Sequence, residues 1–396
     1  MANKDVTQKP RYAMPWERLN DSHKTVGVID PCYGSSHVIY PTDLEGIKHK
    51  RLLKLPLHKL DRDSTFHSFT PIIMDFTAQL VHTWNSIPRN KDFIISFELE
   101  IPRYLGEPTP QQIQTGLKIL DSPRCKVIAA LSDFAAYNAK RFFIEKGYPQ
   151  LGKKLIVLRG MVYDPRERFD ISPKVSSGKG ISAVVIGTQL FRKGGMYAIK
   201  AFEKLKKDGY DVQLTLIGKF ETSSYAFGEH IPSAEEWTER ANSHDWIRLL
   251  PPVPNKEVFQ ELASHDICLY PSLDESLGWL PIEAAMLGVP VVACNIAAFP
   301  EFVIDKETGF LIDLPLGENK RWVGLQKNSI NKNDCLVEAN EVVVDGIYNA
   351  VEELLKDKSK ISIMGEAGRS MISPKYGVEQ AKKELELLYN KVFSEL

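Results

Sequence analysis

The chain has no apolar run long enough to cross a membrane: no window reaches the roughly 18 residues of a spanning helix. It has no excess of charge of either sign. The 50 Lys and Arg against 51 Asp and Glu leave a formal net charge of −1, so no overall basic field draws the chain to nucleic acid. No motif of DNA or RNA recognition is present either. Cysteine is sparse and scattered, at Cys32, Cys125, Cys268, Cys294 and Cys335. That spacing fits neither a disulfide framework nor a set of metal ligands, and free thiols in a reducing cytoplasm are expected. The first residues, MANKDVTQKPRYAMPWERL, lack the apolar core of a secretion signal. Internal repeats and low-complexity tracts are missing as well. These absences exclude membrane-spanning, disulfide-scaffold and repeat classes.

What is present is ordinary globular composition, with 43% hydrophobic and 26% charged residues. At 396 residues the chain exceeds one ordinary core, and two domains are expected. Short apolar runs read as buried strands: Thr25–Ile29, Phe93–Phe97, Lys126–Leu131 and Lys154–Leu158. Helical patterns such as Gln111–Leu120 and Ala135–Lys146 lie between them. A polar stretch with Pro165, Pro173, Gly178 and Gly180 follows and reads as a linker. A second alternating series then begins, with strands Ala183–Ile186, Gln213–Ile217, Trp246–Leu249, Ile267–Tyr270 and Val289–Cys294. Helices Met196–Asp208, Glu235–Ala241 and Lys256–Ala263 separate them. Such alternation predicts two α/β domains with parallel, doubly wound sheets. Residues 317–334 read as an insertion or mobile loop, and 377–396 as an amphipathic helix.

The most informative stretch is Ser272–Cys294, SLDESLGWLPIEAAMLGVPVVAC. A strand ends near Tyr270, and Asp274, Gly278 and Pro281 break it into a loop. Pro281 suits the first turn of a helix, where its missing N–H costs nothing. Ile282, Ala285 and Met286 give that helix an apolar face, and Gly288 with Pro290 stops it. The unpaired N–H groups of its start, near Leu280, face the loop holding Glu275 and are suited to phosphate. Gly278 lets a ligand approach the backbone, and Glu283, about one turn in, can accept from a vicinal diol. A plainer reading is a helix whose first turn carries acids to complement its dipole. A second basic element stands upstream. Gly187 ends a strand, and Arg192-Lys193-Gly194-Gly195 opens the next helix. Cations there oppose the helix dipole by a few tenths of a kcal/mol, a cost that an anionic ligand would offset.

The double-glutamate spacing, Glu275 to Glu283 with seven residues between, resembles that of the retaining glycosyltransferases of family four. So do the continuation EAAMLGVPVVACNIAAFPEFVIDKETGFLI and the upstream pieces VVIGTQLFRKGGMYAIKAFEKL, LTLIGKF and IRLLPPVPNKEVFQELASHDICLYPS. The resemblance covers roughly residues 181–313; before that it holds only in outline. It implies the GT-B architecture, two Rossmann-like domains facing across a cleft. Residues 1–165 would form the acceptor-side domain, 166–180 a linker and 181–376 the nucleotide-sugar domain, with helix 377–396 packing back on the first.

By the same resemblance Glu275 contacts the donor sugar and Glu283 the ribose hydroxyls. Ser276, Leu277, Gly278, Trp279 and Leu280 offer backbone N–H groups to sugar and phosphate. Gly187, Arg192 and Lys193 line the diphosphate, with Thr188 standing where the family often has an arginine. Gly218 lies beside the nucleotide, and Leu250 belongs to a segment whose backbone reads the base. On the acceptor side the family often has a histidine after the strand Phe93–Phe97; here Glu98 occupies that place. Glu98 can act as a base or pair with Arg103, and His82 is the nearest alternative. Ser132-Asp133 fits both the family pattern and a simple N-cap. The stretch Ile47–Leu60, IKHKRLLKLPLHKL, reads either as a basic amphipathic face for an anionic membrane or as a solvated loop and helix face. Pro56 interrupts any long helix and favours the latter.

The resulting expectation is a cytoplasmic, metal-independent retaining glycosyltransferase without a cofactor, peripheral at the inner membrane face if the basic stretch contacts lipid. Its partners would be a nucleotide sugar and a glycan, lipid-linked or small-molecule acceptor, in glycan, polysaccharide or glycolipid synthesis. A non-catalytic GT-B subunit, a nucleotide-sugar epimerase and a phosphorylase remain as alternatives. Two carboxylates alone would also suit glycoside hydrolysis, but that reading leaves the phosphate-binding elements unexplained.

Overall fold

The structure is a computed structural model. It describes the chain from Lys24 onward, apart from 30–31, 34–36, 39–42, 60–65, 67–68, 76, 105, 172–179, 222–225, 229–231 and 326–331. At 32–33, 37–38 and 58 it describes the backbone alone. The N-terminal stretch 1–19, part of the expected linker and part of 317–334 lie outside the described residues. The chain forms two units, 1–162 with 376–396, and 163–375.

In the first unit six strands form one parallel sheet, in the order β4 (Ile47–Arg51), β1 (Lys24–Ile29), β5 (Leu80–Trp84), β6 (Phe93–Phe97), β7 (Cys125–Ala130) and β8 (Leu155–Val157). A two-stranded hairpin, β2 (Cys32–Tyr33) and β3 (His37–Val38), stands apart. The central strands β5 and β6 are buried at every position, as parallel strands covered on both faces must be. Helices Pro110–Asp121 and Asp133–Glu145 set Leu117, Leu120, Ala135, Ala139 and Phe143 against the strands' Ile95, Phe97 and Ile128. Ser132 does cap the second helix, accepting from the Ala135 N–H at 3.1 Å. The last helix, Val378–Ser394, joins this unit, with Leu385, Tyr389 and Val392 buried.

One reading of this unit needs correcting, and one strand goes beyond those expected. The basic stretch from Ile47 begins as a strand, neither loop nor helix: β4 runs parallel to β1 over five successive positions. It is an edge strand, where lysines and arginine are tolerated because one side is open to water. LVHTW is also a strand, β5, although His82 and Thr83 break its apolar run.

The second unit has its own six-stranded parallel sheet, in the order β11 (Ile247–Leu250), β10 (Val212–Lys219), β9 (Ile181–Gln189), β12 (Ile267–Tyr270), β13 (Val291–Cys294) and β14 (Gly309–Ile312). The chain builds outward from β9 to β11, returns to pair β12 beside β9, and builds outward the other way. Strand order therefore reverses between β9 and β12, and the crevice at their carboxyl ends is where doubly wound sheets bind ligands. Helix Trp279–Leu287 follows β12, with every residue from Leu280 to Leu287 buried. A helix apolar all round belongs in an interior.

The unit begins at Tyr163, so the first part of the expected linker folds with it. Asp164 caps the helix Pro165–Phe169, accepting from the Arg166 N–H at 3.0 Å. Residues 317–325 are likewise no loose insertion. Trp322 is 1% exposed, and Leu316 and Trp322 form a bridge. No helix among the described residues is long and apolar enough to cross a membrane.

Candidate functional site

The loops after β9 and β12 meet at the reversal point and bring two cations onto one carboxylate oxygen. Arg192 Nη1 lies 2.6 Å from Glu275 Oε1, and Lys193 Nζ donates to the same oxygen. The Tyr270 hydroxyl donates to it at 3.2 Å, and the Ser272 hydroxyl oxygen lies 3.4 Å away. Lys193 Nζ also donates to the Tyr270 oxygen and lies 4.5 Å from the centre of its ring. Glu275 is 9% exposed. Burial alone would raise its pKa, but Lys193 and Arg192 outweigh that and hold it below the ordinary carboxylate value. Burial and Glu275 push the Tyr270 phenol well above its ordinary value, so it stays a donor.

The local backbone explains why these residues meet. The Lys193 side chain crosses Gly187, where any Cβ would collide with it. Gly218, at φ +147, backs against the Gly187 carbonyl with equally little room. Arg192 is aimed from both ends: its Nε donates to Gln189 at 3.1 Å, and its Nη1 also donates to the Asp274 carbonyl at 3.2 Å. Ser272 ties the two loops together, its hydroxyl donating to the Arg192 carbonyl at 2.9 Å.

Gly278 is the cap of the motif helix, at φ +81, with its open face against the Phe299 ring. As a glycine, the cap residue offers no side chain of its own to the first turn. The half-buried Trp279 is the first helical residue, Leu280 the second and Pro281 the third; Ser276 is half-buried and Leu277 fully buried. The Glu283 side chain sits one turn in and is 4% exposed. At the other end, Arg166 donates to the Leu287 carbonyl and Arg369 to the Met286 carbonyl. Arg369 also pairs with Asp164 at 2.6 Å. Cations at a helix C-terminus complement its dipole, so this end is well anchored.

Residues 271–278 carry a second ion pair. Arg321 donates to Asp274 Oδ1 through Nη2 at 2.5 Å and Nε at 3.2 Å. Sequence reasoning missed Arg321, Tyr270 and Asp274 as members of the site. Tyr270 had a usable signal, because a tyrosine ending a buried strand needs a partner for its hydroxyl. Arg321 had none, since it follows β14 in an irregular polar stretch.

Leu250 ends β11, separated from β9 by β10. Thr188 is exposed beside Gly187. In the first unit His82 is fully buried in β5. Its Nδ1 is 2.7 Å from the Tyr389 hydroxyl, and its Nε2 is 2.9 Å from the Ser96 hydroxyl. Glu98 follows β6 and pairs with Arg103 at 3.0 Å. No group of three His, Cys, Asp or Glu among the described residues is placed to hold a metal ion.

Comparisons with known proteins fit this geometry. Residues 167–319 match the family model "Glycosyl transferases group 1". An uncharacterised 41.2 kDa protein in the cps region of Klebsiella pneumoniae is 35% identical over 113 residues, 27% of this chain and 30% of that protein. A D-inositol 3-phosphate glycosyltransferase from an Arthrobacter species is 28% identical over 59% of this chain and 53% of its own. The Staphylococcus aureus capsular polysaccharide biosynthesis glycosyltransferase CapM is 24% identical over 53% of this chain and 46% of its own. The chain thus spans about half, or less, of the length of these curated relatives. Among solved structures, sucrose-phosphate synthase from Thermosynechococcus elongatus superposes over 94% of this chain and 100% of its own, with TM-score 0.58 and 15% identity. Anabaena HepE in complex with UDP and glucose superposes over the same shares, with TM-score 0.55 and 12% identity. The fold is the α/β two-domain GT-B fold, and the part of the chain that holds the charged cluster is similar to the group 1 glycosyl transferases.

Proposed function

We propose that this protein transfers a sugar from a nucleotide-activated donor to an acceptor, with retention at the anomeric carbon and without a metal. One observation carries the reading: Arg192 and Lys193 meet Glu275 at the reversal point between β9 and β12, on the loop that leads into the glycine-capped start of helix Trp279–Leu287. Two cations and a helix N-terminus suit a diphosphate. Glu275 uses Oε1 for all its contacts within the cluster, and Oε2 takes no part in them. In this reading Oε2 meets a sugar hydroxyl while the diphosphate lies on the cations. Glu283 accepts from the ribose diol.

Chemically, the bond from the anomeric carbon to the diphosphate oxygen breaks as the acceptor oxygen bonds to the same face. The acceptor proton passes to the departing phosphate. Arg192, Lys193 and the fixed dipoles of the helix start stabilise the charge that develops there, which is electrostatic preorganisation. The relatives' roles, and UDP in the HepE complex, support a nucleotide-sugar donor and a role in polysaccharide or glycan synthesis. The acceptor would be a glycan, a lipid-linked sugar or a small molecule.

A thermal-shift panel of UDP, GDP, ADP and CMP with their sugars tests the reading. At least one nucleotide should raise the melting temperature, and Glu283→Ala should reduce that rise. If none of them stabilises the wild-type protein, the transferase reading fails.

A further inference from the structure

Among the five charged side chains of this cluster, Arg192, Lys193 and Arg321 are cations and Asp274 and Glu275 are carboxylates. The formal excess is one positive charge. The acids are consecutive on one loop, yet they are held in opposite ways. Glu275 lies on Arg192 and Lys193, whereas Asp274 is drawn off by Arg321 through two hydrogen bonds to Oδ1. The Asp274 side chain is only 4% exposed, so it needs a partner inside the protein.

Arg321 is delivered by a braced turn. The Gly317 N–H donates to the Arg321 carbonyl and the Ala297 N–H to the Lys320 carbonyl, both at 2.9 Å. The Arg321 N–H donates to the Asn319 side chain at 3.1 Å, and the adjacent Trp322 is buried. Both cations of the phosphate site interact with Asp274. Arg192 already donates to the Asp274 backbone carbonyl, and the field of Asp274 already favours the charged form of Lys193. Lys332 also feels that field, but its ammonium donates to the Gly324 carbonyl and lies 5.4 Å from the centre of the Trp322 ring.

We propose that Arg321 is a positioning residue for the phosphate-binding cations: it holds Asp274 away from Arg192 and Lys193 and keeps the site one charge positive. The inference rests on the reading of this cluster as a diphosphate site. It assigns a role to a residue outside the loops that carry the motif. If Arg321 is lost, Asp274 turns onto Arg192 and Lys193, and two carboxylates then neutralise two cations.

The test is a calorimetric titration with inorganic pyrophosphate and with UDP, GDP, ADP and CMP. It compares wild type, Arg321→Ala, Arg321→Lys, Asp274→Asn and the double variant Arg321→Ala/Asp274→Asn. Arg321→Ala should weaken pyrophosphate by about tenfold or more, because a freed acid then competes for the cations. The double variant should return to within about threefold of wild type, the coupling expected of side chains in contact. Arg321→Lys should retain most of the affinity, and Asp274→Asn should bind at least as tightly as wild type.

Unchanged binding by Arg321→Ala would overturn the proposal. So would a double variant as weak as the single one, since Arg321 would then only support the loop. If Arg321→Ala does not fold, the lysine variant and Asp274→Asn decide: weaker binding by Asp274→Asn refutes the charge argument. Wild type that binds pyrophosphate but prefers no nucleotide would sink the nucleotide-sugar reading and leave the role of Arg321 standing. Wild type that binds no pyrophosphate would overturn the role of Arg321 itself.

Discussion

Glu275 Oε1 receives two cations and the Tyr270 hydroxyl in a nearly closed setting, so its charge does more than its shape. Glu275→Gln keeps the shape and removes the charge, leaving Arg192 and Lys193 without their internal counter-ion. Nucleoside diphosphate affinity should then stay level or rise. Turnover should fall by about 10²–10³, the usual loss when a preorganised electrostatic contact is removed from a reacting centre. Steady-state kinetics beside calorimetry separates the two effects, and an equal loss of both would mean that the carboxylate serves nucleotide binding. Each of these charges was visible in the sequence, the cations at a glycine-rich helix start and the acid before another helix. Their meeting was not, because Arg192 and Glu275 are 83 positions apart and touch only because β12 returns to pair with β9. Sequence reasoning assigns the acid to the sugar and the cations to the diphosphate, and the structure adds that the acid and the cations contact each other.

The turn from β12 into helix Trp279–Leu287 sets where that cluster points. Gly278 sits at φ +81, a conformation that costs other residues, and a Cβ there would enter the Phe299 ring. Gly278→Ala should therefore lower stability by about 1–3 kcal/mol, read from denaturant unfolding, through strain and overpacking together. It should also blunt the nucleotide-induced rise in melting temperature, because the helix start moves. A loss below about 0.5 kcal/mol would show that the loop adapts freely, as most surface sites do. The elements of the second unit were legible because apolar strands and amphipathic helices alternate cleanly there. Ile267–Tyr270 is a strand at the expected bounds, and Gly288 ends the motif helix in the left-handed region. In the first unit the apolar run was the only signal used for strands, and it fails twice. β4 is charged because it is an edge, and β5 carries a histidine satisfied by partners far along the chain. Pairing partners, not local pattern, make those two segments strands.

The chain as a whole leaves its first unit at Val162 and re-enters it at Tyr376, so the first sheet is completed by the last helix. The joint includes a buried polar contact. Tyr389 of that helix hydrogen-bonds with His82 in β5 at 2.7 Å and with His49 in β4 at 3.3 Å, while His82 also reaches Ser96. Burial first, and repulsion from His49 second, draw the His82 pKa well below its ordinary 6.5. The folded chain therefore keeps this imidazole neutral where the unfolded chain would protonate it. Its contribution to stability is complete above the unfolded value and declines as the pH falls through about 6.5 toward the folded value. The limiting slope is about 1.4 kcal/mol per pH unit for one proton. The contribution of Asp75 is complete throughout that range and is lost only as the pH falls below the ordinary 3.8: burial opposes the shift, but hydrogen bonds from Lys50 and Thr77 hold its pKa lower. Denaturant unfolding between pH 7 and about 5 should thus show stability falling with acid, in the range where histidine titrates. His82→Asn should be less stable at pH 7, because it breaks the pairing with Tyr389 and Ser96, and its pH slope should be shallower by close to one proton. An unchanged slope in that variant would place the acid sensitivity elsewhere. A steeper one would mean that His49 takes up the proton once its neighbour is gone.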